Sequence, residues 1–434
     1  MGLIESMKEA ARKSFLWSFF GENIYLVLFS ILVFLTPLIT ISEANELYEF
    51  PKMFFVYILG FFIIAFFFTD LVIHRFKLKK ISSVVALFLA LVIISTILSS
   101  DIYTSVFGYY TRFNDGLISY IVYFGLYFVA VNKIRKEDFI KILKVSLLTI
   151  IPISIAGISQ KFGITFIWPH IPVERVFSTL GQPNWLAQYL AVLLPVSLYF
   201  GLCEKTKISL TWVFIFCLGF FCFWLTYSLS GFLGLAVGLV TFVLFFAAKE
   251  VLDRKAFLRI LIIGIFSIGV ISTNMGIFKP RVNDAIFDVK KLFSFVQRVY
   301  AAGESYKISD PGYIRKELWR STFLLIKSSA KNMLIGTGPE TFPYAYQPFR
   351  GKELNYSSEW DFVLNKPHNY YLEIWSECGI FALFLYVVLI LKSALSSHYF
   401  VCPALVAFAV TNIFGWPVVA TALLFWIFVA YCDV

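Results

Sequence analysis

The chain has 434 residues, of which 59% are hydrophobic, 19% are aromatic and only 15% are charged, and its formal net charge is +10. Soluble domains are about 45–50% apolar and about 25% charged, so this composition excludes an ordinary soluble protein. The hydrophobic residues occur in blocks of about 17–25 residues, the length that a helix needs to cross the hydrocarbon core of a bilayer. We therefore predict an all-α protein that spans a membrane many times.

Twelve such blocks follow one another along the chain and predict a helical bundle of about twelve membrane spans. The boundary between the seventh and eighth blocks is the least marked, because only a short turn around Ser228 separates them. The blocks are Ile24–Ser42, Phe54–Ile73, Ser82–Ser99, Gly116–Val131, Ile142–Ile158, Trp185–Leu202, Leu210–Tyr227, Gly231–Ala248, Phe257–Met275, Tyr370–Leu391, Tyr399–Ile413 and Pro417–Cys432. They divide the chain into nine spans over residues 1–275, an external loop domain over residues 276–369 and three last spans over residues 370–434.

Lysines and arginines in the short loops predict the orientation of the bundle. One set of alternate loops is basic, at residues 74–80, 133–136, 205–207 and 249–259, and the positive-inside rule makes these loops cytoplasmic. The basic residues within 1–23 fall on the same side, so both termini are predicted to be cytoplasmic. Residues 1–23 also lack a small-residue cleavage site, and we expect no cleavable signal there.

The other set of loops then lies outside the cytoplasmic membrane. This set consists of Glu43–Lys52, Asp101–Asp115, Phe162–Asn184 and the long segment Gly276–Asn369. The long segment is rich in lysine and arginine, which an anionic ligand or anionic lipid headgroups would explain, with a merely solvated surface as the alternative. Within it, Trp319, Thr322, Phe323 and Ile326 fall at helical spacing and predict an amphipathic helix over Leu318–Lys331.

His368 is the main candidate for chemistry. The chain has four histidines, and this one lies where the long polar segment ends and a new apolar block begins. An unperturbed imidazole titrates near about 6.5, which suits a general base. Arg315 and Arg320 precede it in the same segment, and arginine binds phosphate groups with bidentate geometry. A purely interfacial role is the alternative for His368.

Two further outer strings place polar side chains at the membrane edge. Arg112 ends one loop, and the stretch from Arg175 to Asn184, which contains Gln182, ends another. Glycine and proline in the second stretch predict a loop that dips toward the bundle, which is tolerated at membrane depth only where the backbone lines a cavity. We expect these strings and that of His368 to converge on one outward-facing cavity. Each arginine alone is more often a headgroup anchor, and Asn184 can instead cap its helix.

Taken in order, these strings resemble the O-antigen ligase superfamily, which includes lipopolysaccharide O-antigen ligases, related polysaccharide polymerases and some protein O-oligosaccharyltransferases. The resemblance covers nearly the whole chain, with one large external loop before the last three spans. The strings that carry it are Phe107–Gly116, Arg175–Ala187, Arg315–Trp319, Gly336–Gly338 and His368–Glu373 with Gly379. The turn Thr226–Gly231 departs from the pattern, because Leu229 stands where the family often has an arginine.

The resemblance implies an inverting glycosyltransferase that takes a glycan from undecaprenyl diphosphate and transfers it to a hydroxyl of lipid A-core or of another surface glycan. It implies His368 and Arg315 as catalytic residues. The substrate-binding residues that it implies are Arg175, Arg112, Gln182, Asn184, Asn369 and Arg320. With Leu229 in the divergent turn, Arg175 or Arg315 is expected to bind more of the diphosphate.

The expected partners are this lipid-linked donor, a glycolipid or glycan acceptor and membrane lipids, with no nucleic acid. We expect neither a cofactor nor a metal, because the sequence has no cysteine pair, Asp-x-Asp string or histidine cluster. A polymerase that extends a lipid-linked glycan uses the same chemistry and remains an alternative. A polyprenyl-glycan transporter or flippase is a further alternative, although the sequence has no inverted halves. A purely structural scaffold would have no need of His368.

Overall fold

The computed structural model describes residues 23–164, 172–204, 207–247, 254–293, 311–396 and 399–434, and within these ranges the chain forms helices and turns with no strand. The helices are α1 (Ile24–Leu35), α2 (Glu49–His74), α3 (Ser83–Ile97), α4 (Ile102–Phe107), α5 (Leu117–Lys133), α6 (Lys136–Leu148), α7 (Ile150–Lys161), α8 (Pro183–Cys203), α9 (Ile208–Trp224), α10 (Leu229–Ala247), α11 (Arg254–Phe293), α12 (Pro311–Lys327), α13 (Ala330–Leu334), α14 (Phe342–Ala345), α15 (Tyr370–Ser396), α16 (Val401–Thr411) and α17 (Val419–Asp433). The expectations for residues 1–22, 205–206 and 249–253 lie outside the described residues.

The helices follow the predicted apolar blocks. Five helical stretches are long and apolar enough to cross a membrane, namely Glu49–His74, Lys136–Lys161, Pro183–Cys203, Lys255–Thr273 and Tyr370–Ser396. Seven shorter apolar helices of 10–17 residues match the remaining blocks. The boundary near Ser228 is confirmed, because α9 ends at Trp224 and α10 begins at Leu229. The all-helical fold with several candidate spans is therefore confirmed, while the count of twelve spans stays a prediction.

Helix α8 is the central helix of the bundle. It packs against α9, α10 and α16, and nearly all of its side chains are buried. The reason is its composition, since a helix that is apolar on every side has no face suited to water. Pro183 occupies its first turn, where the fixed φ of proline favours helix initiation. This start sets Gln182 and Asn184 at the end of a helix that is mostly buried.

The segments predicted to lie outside the membrane meet at one end of the bundle. The ammonium of Lys52 donates to the carbonyl of Thr179 at 2.7 Å, and the backbone N–H of Ser100 donates to the carbonyl of Thr337 at 2.8 Å. Ser178, beside Thr179, is fully buried. The expected dip of the Arg175–Asn184 loop into the bundle is thus confirmed.

The segments predicted to be cytoplasmic supply ion pairs among themselves. Asp70 pairs with Lys133 at 2.6 Å and with His74 at 2.7 Å. Lys392 pairs with Asp433 at 2.7 Å. The two sets of loops therefore make separate contacts, as alternate faces of a membrane protein require. Which of them faces the cytoplasm stays a prediction.

The external segment has a small hydrophobic core of its own. Leu318 and Leu325 of α12 are buried there together with Phe342, Leu354 and Leu364. These residues come from positions 318–364, so the core folds this part of the segment into a compact unit beside the bundle. The division at residue 275 stays a prediction, and α11 continues as a helix beyond it to Phe293. The apolar stretch predicts which part of a helix lies in lipid. The helix itself can continue beyond that stretch.

The predicted helix Leu318–Lys331 is displaced in the structure. It runs instead over Pro311–Lys327, and Ser329 caps the separate helix α13 by accepting a hydrogen bond from the N–H of Asn332. On the predicted apolar face, Phe323 is 38% exposed. The ring of Phe323 packs edge-on against Trp375 instead. A serine that can cap a new helix ends the old one, and helical spacing alone does not show this.

Helix α15 is interrupted at Gly379, which has φ 85° and ψ 171°. Such a break leaves carbonyl groups without partners in their own helix. The N–H groups of Thr337 and Gly338 donate to the carbonyls of Ser376 and Glu377, both at 2.9 Å. The kink therefore binds the external turn that starts at Gly336, and it draws this turn against the bundle.

Candidate functional site

A cavity lies at the outer-predicted end of the bundle and encloses about 350 Å³ of space, including its open mouth. His368 lines it together with Gln182 and Asn184, so the expected convergence of two of the three outer strings is confirmed. The other lining residues, which were not predicted from the sequence, lie on other helices and in the loop before α17. These lining residues are Trp185, Gln188, Ser230, Thr411, Phe414, Gly415 and Trp416.

Gln188 forms the polar floor of this cavity. Its amide N–H₂ donates to the hydroxyl of Thr411 at 3.1 Å and to the carbonyl oxygen of Asn412 at 2.7 Å. Its own carbonyl oxygen accepts from the hydroxyl of Thr421 at 3.0 Å. Because Gln188 is almost fully buried and its donors and acceptor are engaged, it joins α8, α16 and α17 beneath the site.

Arg175 approaches the cavity wall through Asn184. Its Nε donates to the carbonyl of Thr226 and its Nη2 to Oδ1 of Asn184, both at 2.8 Å. The hydroxyl of Ser228 donates to the same oxygen at 2.9 Å. Asn184 therefore does not cap its helix. Arg175 reaches the turn in which Leu229 replaces the family arginine, and it fastens the dipping loop to that turn.

Arg112 stands between two tryptophans. Its guanidinium carbon lies 5.1 Å from the ring of Trp185 and 5.9 Å from the ring of Trp416, within the range of cation–π attraction. Its Nε and Nη1 atoms are buried and have no hydrogen-bond partner among the described residues. Arg112 thus brings a positive charge and free N–H donors next to the cavity, which suits an anion.

The backbone around His368 is held at several points. His368 has φ 53°, a left-handed conformation that is uncommon for a residue with a side chain. The indole N–H of Trp319 donates to the carbonyl of Pro367 at 3.0 Å, and the N–H of Tyr370 donates to the carbonyl of Asn412 at 2.9 Å. The ring of His368 lies 5.1 Å from the ring of Trp416. These contacts fix the direction of the imidazole.

The pKa of His368 is lowered to about 4, first by burial and then by the positive charges of Arg315 and Arg112. The ordinary imidazole value was the premise of the sequence argument, and the environment changes it because burial and like charge both disfavour the imidazolium. His368 is therefore neutral near neutral pH. It has a free lone pair, but it becomes a strong base only when an anion offsets the two arginines.

A buried ion cluster lies two residues before His368. The ammonium of Lys366 is 2.5 Å from a carboxylate oxygen of Glu340, 2.5 Å from one of Glu373 and 3.1 Å from one of Asp115. Only 2% of the Lys366 side chain is exposed. We call these four residues the Lys366 cluster. Glu377 extends it, because its carboxylate accepts from the N–H of Glu340 at 2.9 Å.

Charge and conformation in the Lys366 cluster depend on each other. Burial works to lower the pKa of Lys366, but the carboxylates of Glu340, Glu373 and Asp115 raise it well above its usual value. Burial raises the pKa of Glu340, which Lys366 opposes. Asp115 has φ 56° and Glu340 has φ 58°, so two of the carboxylates sit on unfavourable backbone. Such conformations persist where the surroundings over-determine them.

The same three carboxylates have the spacing of a cation site. Their oxygen atoms lie within 4.8 Å of one another, although the sequence shows no ligand cluster, because the three residues come from distant segments. The ammonium of Lys366 stands within ion-pair distance of all three. The ammonium of Lys366 thus supplies the positive charge that these three carboxylates share in this structure.

Two expected site residues lie elsewhere. The side chain of Asn369 caps α15, where its Oδ1 accepts from the N–H groups of Tyr371 and Leu372 at 3.0 and 3.1 Å. The side chain of Arg320 is 67% exposed and pairs with Glu317 at 3.5 Å. Neither lines the cavity, because the first is turned back to its own helix and the second points away from the small external core.

Sequence reasoning missed the Lys366 cluster and Trp416. Glu373 and Glu377 offered a signal, because two carboxylates inside an apolar block are functional hypotheses by default. The sequence offered no specific signal for Trp416. An aromatic residue in a short loop is not distinctive, because tryptophan is common at membrane interfaces.

Comparison with known proteins supports the resemblance. Residues 189–387 match the family described as O-Antigen ligase, whose members are membrane glycosyltransferase-like enzymes. This range contains His368, Arg315 and two carboxylates of the Lys366 cluster, while Arg112 and Arg175 precede it. No curated protein matches the chain significantly. The match over residues 189–387, on an all-helical fold with several candidate spans, supports the resemblance of the chain to the O-antigen ligase superfamily.

Proposed function

We propose that this protein is an inverting, metal-independent glycosyltransferase that transfers a glycan from undecaprenyl diphosphate to an acceptor hydroxyl at the outer face of the cytoplasmic membrane. One observation carries the proposal. A neutral imidazole and a guanidinium with free N–H donors both contact the ring of Trp416, and the imidazole and this ring line a single cavity. Transfer from a lipid diphosphate needs this pair, a base for the acceptor and a positive charge for the leaving group.

In the proposed reaction the acceptor hydroxyl attacks the anomeric carbon from the face opposite the diphosphate. His368 takes the hydroxyl proton, the new C–O bond forms, and the bond between the anomeric carbon and the phosphate oxygen breaks with both electrons going to that oxygen. Undecaprenyl diphosphate leaves as the anion. The configuration at the anomeric carbon is inverted because there is a single displacement.

The donor itself would activate the base. Burial, together with the positive charges of Arg315 and Arg112, keeps the pKa of His368 low. A bound diphosphate brings at least two negative charges next to these arginines, which offsets their effect on the imidazole. His368 then becomes more basic when the donor is in place, so proton removal is favoured in the complex that can react.

The arginines differ in the roles that their contacts support. Arg112 has buried N–H groups without partners among the described residues, and it is the best placed to receive a phosphate oxygen. Arg315 acts on His368 through its charge and is proposed to share the diphosphate. Arg175 is engaged with Thr226 and Asn184, so we assign it the support of the cavity wall.

A polymerase remains the second candidate. Its donor and base are the same, and only the acceptor differs, being the non-reducing end of another lipid-linked glycan. The family covers ligases and polymerases, and the cavity residues serve either acceptor. A transporter or flippase would move the lipid-linked glycan without breaking its bond to phosphate, and it would need no base.

The test is to incubate the purified protein in lipid nanodiscs with a glycan linked to undecaprenyl diphosphate and, in separate reactions, a lipid A-core acceptor or a second lipid-linked glycan. Mass spectrometry identifies the product, and release of undecaprenyl diphosphate is measured alongside. We expect transfer that continues in EDTA and that His368→Ala slows by about 10²–10⁴-fold. No lipid diphosphate released with either acceptor, or near-normal transfer by His368→Ala, contradicts the proposal.

A further inference from the structure

The last outer loop, between α16 and α17, contributes to the site through Trp416. Its ring centroid lies 5.1 Å from that of His368 and 6.1 Å from that of Trp185, and in both pairs the rings meet edge to face. The guanidinium carbon of Arg112 lies 5.9 Å from the same ring. Trp416 is therefore the side chain that touches both the proposed base and the best-placed arginine.

The indole N–H of Trp416 has no hydrogen-bond partner among the described residues, although the side chain is only 6% exposed. A buried indole N–H usually finds a partner, because an unmade hydrogen bond is costly. The indole can donate but cannot accept. Since Trp416 lines the cavity, its indole N–H is available to an oxygen atom that enters the cavity.

The neighbouring free donors narrow the chemistry of that oxygen. Nε and Nη1 of Arg112 are also without partners among the described residues, so the indole and the guanidinium together offer three donor nitrogens and a positive charge. This part of the wall presents donors, and a phosphate oxygen is the acceptor that best satisfies several donors and one charge together.

We infer that Trp416 is a donor-binding residue whose indole N–H gives a hydrogen bond to an oxygen of the lipid-linked diphosphate, while its ring holds Arg112 and His368 in place. The inference deepens the proposed function and rests on it. The N–H serves binding of the diphosphate, and the ring serves the geometry of the reaction. Replacing the N–H alone and replacing the whole ring therefore have different effects.

The experiment measures binding of undecaprenyl diphosphate without a glycan, and transfer from the glycan-linked donor, in wild type and three variants. Trp416→Phe keeps an aromatic ring and loses the donor group, so we expect binding about tenfold weaker, with kcat at saturating donor within about threefold of wild type. Trp416→Tyr supplies a hydroxyl donor and should recover part of the affinity. Trp416→Leu removes the ring and should lower kcat as well.

Trp212→Phe is the matched control. It removes an indole N–H that donates to Glu204 at 2.9 Å, from a buried tryptophan in another part of the bundle, and donor affinity should stay at the wild-type value. Undecaprenyl diphosphate binding by Trp416→Phe and Trp416→Tyr that equals wild type overturns the inference and leaves water as the indole's partner. Failure of the wild type to bind undecaprenyl diphosphate overturns the proposed function as well, so the two failures are distinguishable.

Discussion

The imidazole of His368 is controlled by charges that come from other parts of the chain. Arg315 belongs to the external segment and Arg112 to a loop between two spans, and both act on a ring that burial already keeps neutral. A general base must be unprotonated, so activity falls as the pH drops through its pKa. The position of that acidic limb in the pH profile therefore reports the charge around His368.

Replacing Arg315 with alanine should shift this limb to higher pH. The change removes one positive charge, so the pKa of His368 rises from about 4 toward the ordinary value near about 6.5. The measurement is kcat/KM against pH, which reports the free enzyme. Arg320→Ala, on the same helix but with a 67% exposed side chain, should leave the limb in place. An unmoved limb in Arg315→Ala would argue against His368 as the base.

The Lys366 cluster leads to a prediction about stability. Lys366→Met keeps the length of the side chain but leaves the buried carboxylates of Asp115, Glu340 and Glu373 without their cation. Removal of one partner from a buried ion pair costs about 3–5 kcal/mol, and a lower unfolding temperature should show it. Lys392→Met removes a pair with Asp433 whose lysine is 42% exposed, and we expect a change below about 1 kcal/mol. Equal unfolding temperatures for the two variants would contradict the role of the cluster.

Part of the site was predictable residue by residue. His368, Gln182 and Asn184 line one cavity, as the strings at the ends of the outer loops predict. Asn369 does not line this cavity, because its side chain satisfies N–H groups at the start of its own helix, and its role in substrate binding stays a prediction. The partners of Lys366 were not predictable, since a single sequence does not show which carboxylates fold against it.

At the scale of elements, the kink in α15 joins the external segment to the bundle. Gly379 and Gly336 both have positive φ, and an added Cβ at either would run into backbone atoms of the other segment. The two segments thus meet backbone to backbone. Thr337 and Gly338 donate their N–H groups to carbonyls that have no partner in the interrupted helix.

Gly379→Ala should therefore destabilise the protein. A Cβ at residue 379 overlaps with the backbone of Leu334 and Ile335. The positive φ costs an L-residue about 1–2 kcal/mol in addition. Thermal unfolding in detergent should show a clear loss, together with loss of transfer. Gly269→Ala is the control, because nothing lies within 4 Å of its added Cβ, and a helical alanine should be neutral or slightly stabilising. Similar behaviour of both variants would count against the close packing at the kink.

The elements themselves were largely predictable because apolar blocks of membrane length leave few alternatives to a helix. Every predicted block coincides with a helix. The errors lie in the external segment, where hydrophobicity does not determine at which residues a helix begins and ends. There the helix Pro311–Lys327 begins seven residues before the expected Leu318, because polar residues are compatible with either a helix or a loop.

For the whole molecule, orientation is the prediction that remains to be tested. The positive-inside rule sets the basic loops in the cytoplasm, and the cavity then faces outward. A cysteine at Lys352, which is exposed in the external segment, should react with a membrane-impermeant thiol reagent in intact cells once any outer membrane is permeabilised. A cysteine at Lys79, also exposed, should be protected until the cytoplasmic membrane is opened. The opposite pattern would place the cavity in the cytoplasm and remove the proposed reaction from the outer face.

The fold class was predictable from composition, whereas the Lys366 cluster was not, because its contacts connect remote parts of the chain. The bond between Lys366 and Asp115 spans 251 residues and that between Lys366 and Glu340 spans 26. Hydrophobic periodicity reports what each segment does in lipid and carries no information about which loops touch.

The Lys366 cluster also dictates when the protein can become active during its synthesis. Asp115 is inserted early, whereas Lys366 and Glu373 emerge from the ribosome only with the last part of the chain. Until they arrive, Asp115 has no buried cation to hold it, and the turn that orients the imidazole has no anchor. A nascent chain that has inserted every span before residue 366 thus carries all the arginines of the site and still has no active site. Under the proposed function, activity begins only once α17 has also been inserted, because Trp416 in the loop before it lines the cavity, and a prematurely ended chain cannot consume the lipid-linked donor.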